Sequence, residues 1–550
     1  MGCCTVIVEH LDRLRTHLRP GGDLQRAFSQ VWPQLSAPCR DELTRDAERY
    51  IRQPIPMWTA CSMLKSGAQE YVQAYRLRRK MLSAFVLSAC ANDTARYDER
   101  IFDLAWAICE ETAWANPPGR ALVNDNPYDA QFAETAQLLA WTCCLAYKPI
   151  ARVSDALDAR IRQEITRRVC EPVIRNMELP TTDIAVLAPL TVAVLLSERD
   201  APKRWGALRK LLLWLEESTG HLRAPAIGVW QRDAAQLMDA LTIACFATGN
   251  EVDLRRMLRP LAEIPLYANL GGGYWLNPGE RDMRDGVSGA ALYRFGRGCG
   301  ADALRALGAQ ICRLEVSRGG AANASITERM LSTLYEPDMA REAIRPGTPP
   351  SGRVRGAGFA VARSDVFCVA VHEGDPDGAH RDAGDCLLFY RNRPILCDLG
   401  VGFPETGQHN LPLIGLEGQR PGGKAAELEF EERGDDLLIS LDLSSAYPAQ
   451  MEMESYQRTV VLSRRAREVR MVEVFSFARA RQEVRFHFIT PEKPVMQPQM
   501  AILGGVLLEW ERSLLASAEP LGEGAWRILL SLPKPVRNGN ATFTFRPVGN

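Results

Sequence analysis

The 550-residue chain lacks a long apolar run, a net charge worth the name, a visible internal repeat and more than seven histidines. The first two shortages each remove a class of function. No stretch approaches the roughly 20 consecutive apolar residues of a membrane-spanning helix. The opening MGCCTVIVEHLDRLRTHLRP lacks the basic-then-apolar order of a secretory leader. A net charge of -1 supplies no global field for nucleic acid or an acidic membrane, so neither is expected as a partner. Fifteen cysteines show no framework spacing, and the neighbours Cys3 and Cys4, like Cys143 and Cys144, are poor disulfide partners. Reduced thiols and a cytoplasmic setting are therefore expected. Lysine is scarce as well: of 66 basic residues, 58 are arginine, the side chain whose fork best grips a carboxylate or sulfate. The sequence leaves the oligomeric state open.

What is present divides into two patterns. Up to about residue 345, apolar residues recur at helical intervals, as in the stripes Ile101, Leu104, Ala105, Ile108 and Leu138, Leu139, Thr142, Leu145. Short Pro and Gly breaks between these segments predict stacked helix pairs over 1–345. The Pro- and Gly-rich stretch 346–358 reads as a linker. From 359 to 550 the period becomes two: Phe359, Val361, Arg363, then Val366, Cys368, Ala370, His372, and so on to Thr542–Phe545. Short strands separated by turn signals predict an antiparallel β-sandwich.

One stretch gathers groups suited to chemistry, HRDAGDCLLFYRNRPILCDLGVGFPETGQHNLPLIGLEGQ, residues 380–419. His380 lies in a Gly-rich loop. Two short strands follow, joined at Arg391–Arg393, with Asp398 closing the second and His409 in the loop beyond. The three side chains can meet at one rim of a sheet, and two imidazoles with a carboxylate suit zinc with an open fourth position. Asp382, Asp385 and Asn410 lie where they can orient the imidazoles. The alternative is two hydrogen-bonded, metal-free loop histidines.

The same stretch resembles the metal-site signature of the heparinase II/III-type polysaccharide lyases: H-R-D-A-G, a strand pair ending D-L-G, then H-N-L-P. Further blocks fall in that family's order, among them Gln53–Pro56, Arg76–Arg79, Trp106–Trp114, Ala133–Ala136 and Leu292–Gly296. The resemblance implies an incomplete α/α toroid followed by a β-sandwich. It implies cleavage of a uronic-acid glycan by β-elimination, hence an acidic oligosaccharide or polysaccharide as partner, and zinc at His380, Asp398 and His409 in a structural or carboxylate-organising role. It departs from the family at Gly378, where a further His is usual, and at Leu179–Asp183 and Thr219–Trp230, where the acid and base motifs would fall.

Replacement acid and base groups are sought in His372, on the strand entering the His380 loop, in His221, and in Tyr274. Trp275, Asn277 and Arg223 are the matching substrate-contact candidates. Each has a plainer reading, as a strand or helix-end histidine or as packing after a Gly turn. A catalytically inactive carbohydrate-binding or scaffold relative that keeps the fold and the metal site is the alternative function. A hydrolase with paired carboxylates fits less well, because Glu110 and Glu111 are adjacent on a helix and point apart.

Overall fold

The computed structural model describes residues 25–26, 28–57, 68–115, 128–175, 181, 183–197, 205–219, 227–248, 254–278, 282–317, 326–342, 347, 349–354, 356–374, 379–479, 483–522 and 524–549. The backbone forms two compact units. The first comprises 1–222, 231–262 and 288–346, and the second 223–230, 263–287 and 347–550. The segment 263–287, on the helical side of the expected linker, thus belongs to the second unit.

The first unit is helical. Both stripes read from the sequence are buried: Ile101, Leu104, Ala105 and Ile108 on the helix Asp98–Glu110, and Leu138, Leu139, Thr142 and Leu145 on Ala130–Leu145. Asp129 starts the latter helix by accepting a 2.7 Å bond from Phe132 N, which satisfies one of the four orphan donors at a helix start. Ala130–Leu145 packs on Ile184–Ser197, whose every residue is buried. A helix apolar all round must lie inside its fold. Gly289–Cys299 and Asp302–Ser317 approach so closely that a Cβ on Gly289 or Gly308 would meet the facing backbone. No helix among the described residues is long and apolar enough to cross a membrane.

The second unit carries strands β1 (Asn269–Gly271), β2 (Tyr274–Trp275), β3 (Gly352–Val354), β4 (Phe359–Arg363), β5 (Phe367–His372), β6 (Cys386–Tyr390), β7 (Arg393–Leu396), β8 (Pro412–Ile414), β9 (Ala426–Arg433), β10 (Asp436–Asp442), β11 (Met453–Ser463), β12 (Glu468–Phe477), β13 (Val484–Thr490), β14 (Val495–Gln497), β15 (Met500–Leu503), β16 (Val506–Trp510), β17 (Leu515–Gly522), β18 (Ala525–Ser531) and β19 (Asn538–Pro547). Strand β3 lies inside the stretch read as linker. Besides the β1–β2 hairpin, the sheets are β3-β4-β5-β6-β7, β17-β18-β13-β8 and β14-β15-β16-β19-β12-β11-β10-β9, antiparallel throughout. Alternation places Leu437, Ile439, Leu441, Met471, Phe475, Phe486 and Phe543 in one shared core with Val369, Val371 and Leu388. Such alternation is what makes a sandwich sequence legible, because a one-residue slip would turn the whole set outward.

The β1–β2 hairpin rests on the tight turn between β6 and β7. Gly271 and Gly272 have φ of 87° and 63°, and a Cβ on either would strike Asn392. Glycine is required there for both reasons.

Candidate functional site

Two loops of the second unit converge. The first runs from β5 to β6 and carries His380, Asp382 and Asp385; the second runs from β7 to β8 and carries Asp398, His409 and Asn410. Backbone bonds fix the first loop at both ends: Gly384 N donates to His372 O at 2.8 Å and Arg381 N to Pro404 O at 2.9 Å. His409 follows the short 3-10 turn Thr406–Gln408. His372, His380, Asp382, Asp385, His409 and Asn410 are all buried, and Asp398 is half-buried.

The donor atoms of His380, Asp382 and His409 lie within 4.8 Å of one another, as do those of Asp385, Asp398 and His409. The trio read from the sequence is thus divided between two overlapping sets that share His409. The rings of His380 and His409 are 5.7 Å apart. His409 Nδ1 is 3.5 Å from Asp385 Oδ2, and His372 Nε2 is 3.9 Å from Asp382 Oδ2. Among the described residues, His409 Nε2 is buried without a hydrogen-bond partner, as is Asp385 Oδ2. Buried polar atoms are rarely left in that state, and a ligand is one way to satisfy them. Two imidazoles among carboxylates are a donor set that fits zinc.

Electrostatics follow from that crowding. Burial opposes charge on His409, yet the adjoining carboxylate of Asp385 and the charges of Asp398 and Asp382 prevail and raise its pKa to about 9. Burial also opposes ionisation of Asp385, but His409, His372 and Asn410 outweigh it and hold the carboxyl below its ordinary range. Asp398 goes the other way: burial, aided by the charge of Asp385, pushes it up.

The support beneath is hydrogen-bonded from both loops. Asn410 Nδ2 donates to Asp385 Oδ1 at 2.9 Å, and Asn410 Oδ1 accepts from Ile489 N at 2.7 Å. Arg458, on β11, donates through Nη1 to Gly384 O at 2.7 Å and to Asn410 O at 2.9 Å, so one guanidinium ties the two loops together. Its charge is matched by buried Glu473, its direct cross-strand neighbour on β12, at 2.8 Å. Neither residue was singled out from the sequence. The signal was there: Tyr456, Arg458, Val460 and Leu462 alternate inward, as do Met471, Glu473 and Phe475, so a charge stands at a core position on each strand.

The remaining candidates are placed as follows. His372 is 2% exposed and closes β5. Tyr274 is half-buried, its ring edge-on to Phe389 at 5.4 Å. Its hydroxyl accepts a 3.0 Å bond from Arg284 Nη2, a residue the sequence reading missed because ten positions separate the two. Trp275 is buried, and its N donates to Met283 O at 2.7 Å. Asn277 is buried and holds its own loop, donating to Asp282 O at 3.2 Å and Asp285 O at 2.9 Å. This loop reaches the metal-ligand candidates through Met283, whose Sδ accepts from Asp398 N at 3.3 Å. His221 and Arg223 lie outside the described residues. Glu110 and Glu111 diverge as expected: Glu110 is exposed and bonds Trp106, whereas Glu111 is buried against Arg78 and Arg79.

No protein-family model matches this sequence, and no curated protein matches it. Among solved structures, a heparan sulfate lyase mutant from Pedobacter heparinus is 13% identical with a TM-score of 0.55, covering 90% of this chain and 84% of that one. A chondroitin AC lyase mutant from Streptomyces coelicolor A3 is 13% identical with a TM-score of 0.62, covering 97% and 83%. A xanthan lyase from Paenibacillus is 10% identical with a TM-score of 0.53, covering 98% of this chain and 60% of its own. The fold is that of the polysaccharide lyases. Its helical part is the α/α toroid and its strands form the β-sandwich, as the sequence resemblance implied. In this polysaccharide-lyase fold the buried histidine and aspartate cluster belongs to the sandwich unit.

Proposed function

We propose that this protein is a polysaccharide lyase that cleaves uronic-acid-containing glycans by β-elimination, with zinc held in the β-sandwich at His409, the ligand shared by the set with His380 and Asp382 and the set with Asp385 and Asp398. The observation that carries the reading is the buried His409 imidazole, surrounded by carboxylates and left with Nε2 unpartnered among the described residues. Asp382 and Asp385 complete the surroundings of that site. When bound, zinc supplies positive charge that organises the sandwich loops and a sugar carboxylate beside them.

In the elimination a base takes the C5 proton, the C4–C5 double bond forms, the C4–O bond breaks, and an acid protonates the departing oxygen. Stabilising the developing enolate is essential, because the C5 proton is otherwise too weakly acidic. Of the candidates among the described residues, Tyr274 is the accessible one and moves the proton at its hydroxyl. Arg284, 3.0 Å from that oxygen and exposed, neutralises the substrate carboxylate in this reading. His372 is enclosed with Asp382 and orients the cluster. The absence of framework cysteines supports a cytoplasmic setting.

A second reading, a carbohydrate-binding or scaffold relative without activity, is favoured by the burial of His372, Trp275 and Asn277, none of which offers a sugar much surface. The test is absorbance at the unsaturated-uronate band during incubation with a panel of acidic oligosaccharides, with and without zinc. An increase that Tyr274→Phe lowers by about 10²–10⁴-fold supports the lyase. A flat trace from folded, zinc-loaded protein supports the inactive relative.

A further inference from the structure

A hollow of about 850 Å³ opens on the second unit, beside the two loops that carry the histidine cluster. Arg381, next to His380, and Thr406–Gln408, just before His409, are part of its wall. Three guanidinium groups line it, those of Arg381, Arg420 and Arg527, against the carboxylates of Glu405 and Glu417. Two of the three are committed. Arg381 Nη1 donates to Glu405 at 2.7 Å, while Arg527 donates through Nη1 to Gly407 O at 2.7 Å and through Nε to Glu519 at 3.0 Å. Arg420 differs. Its Nε donates to Ser445 O at 3.1 Å, and it makes no ion pair among the described residues. Arg420 is exposed, so the rest of its fork is open to a negatively charged partner from solution.

The frame is already set. Thr406 Oγ1 donates to Arg381 O at 3.0 Å and accepts from Gln419 N at 2.8 Å. Buried Gln419 in turn brackets Ala383, accepting from its N at 2.8 Å and donating to its O at 2.7 Å. Donors held in place before binding lose little entropy on binding. Leu416, 80% exposed, with Pro421 and Pro448, gives the hollow an apolar side. Mixed charge excludes a polyanion tract held by field alone. A guanidinium fork beside an apolar wall suits a ring that carries one carboxylate or sulfate on an otherwise C–H-rich face. The volume lies in the range of small-molecule sites.

We propose that this hollow is a second saccharide site, which takes the acidic end of a short carboxylate- or sulfate-bearing saccharide on Arg420, apart from the histidine cluster. The proposal rests on the reading of the protein as one that handles acidic glycans. It is tested by calorimetric titration of the full-length protein with an unsulfated uronate disaccharide, a sulfated disaccharide without uronate, and a neutral disaccharide. At least one acidic disaccharide binds, the neutral one does not, and the tighter of the two tells carboxylate from sulfate. Arg420→Gln weakens that binding about tenfold. Leu416→Glu, at an exposed position that folding tolerates, weakens it too, while Arg420→Lys retains more than Arg420→Gln. Elimination at saturating substrate is unchanged in Arg420→Gln. Binding by Arg420→Gln equal to that of the unaltered protein overturns the proposal, as does equal binding of the neutral disaccharide or none by any acidic one. Arg420-dependent binding without elimination sinks only the lyase reading; elimination with Arg420-independent binding sinks only this site.

Discussion

Two buried clusters of charge in this molecule are built to opposite rules. In the helical unit, Arg294 donates to Asp239 at 2.8 and 2.9 Å and to Glu328 at 3.2 and 2.6 Å. Glu328 also accepts from Ser288 at 2.6 Å. The guanidinium is matched on both sides and the network is closed. In the sandwich unit, His409 stands among Asp382, Asp385 and Asp398 with Nε2 unpartnered among the described residues, and the cluster is open. A closed network fixes structure, because any change leaves a charge stranded. An open one leaves room for a ligand.

Breaking the closed network has the largest expected effect. Arg294→Met strands Asp239 and Glu328 inside the helical unit and costs about 3–5 kcal/mol in urea unfolding. A cost below about 1 kcal/mol would show that the network is not the lock it looks to be. The open cluster is tested next by addition. Zinc at a hundred times its dissociation constant stabilises the unaltered protein by about 2.7 kcal/mol in thermal melts, and His409→Ala abolishes that gain. An equal gain in His409→Ala would place the metal elsewhere.

A third test compares two buried histidines of the same unit. Acidic neighbours raise the pKa of His409, whereas burial, with the charges of Arg527 and Arg485, lowers that of His487 to about 3. A folded pKa below the unfolded value means that the unfolded chain binds more protons between about pH 3 and 6.5. Stability contributed by neutral His487 is therefore full above pH 6.5 and is lost as pH falls through that window. Acidifying from pH 6.5 to 5 costs about 2 kcal/mol more in the unaltered protein than in His487→Leu, read by denaturant melts at each pH. The smallest effect is the control. Arg353 and Glu373 pair at 3.2 Å on the surface, and Arg353→Ala changes stability by less than about 0.5 kcal/mol.

How much of this could be read beforehand depended on the range of each interaction. Period 3.6 and period 2 are local, so the buried helix Asp98–Glu110 and strands such as Asp436–Asp442 were legible. The meeting of the His380 and His409 loops was legible because they flank one strand pair. Strand β3 was not, since Gly352–Val354 sits among prolines and glycines and is held by pairing with β4. Arg284 beside Tyr274 depended on the course of an irregular loop. The hold of Arg458 on Gly384 and Asn410 crosses 74 and 48 residues, and only the sheet order brings them together.

That hold has a kinetic consequence. Because one side chain rooted on an interior strand of the eight-stranded sheet bonds the backbones of both loops, neither loop can peel away alone without losing a buried hydrogen bond to Arg458. Amide protons around Gly384 and Asn410 should then exchange with solvent as slowly as those of β11 and β12, in one shared opening event, although both lie in segments that a chain diagram would draw as loose connections.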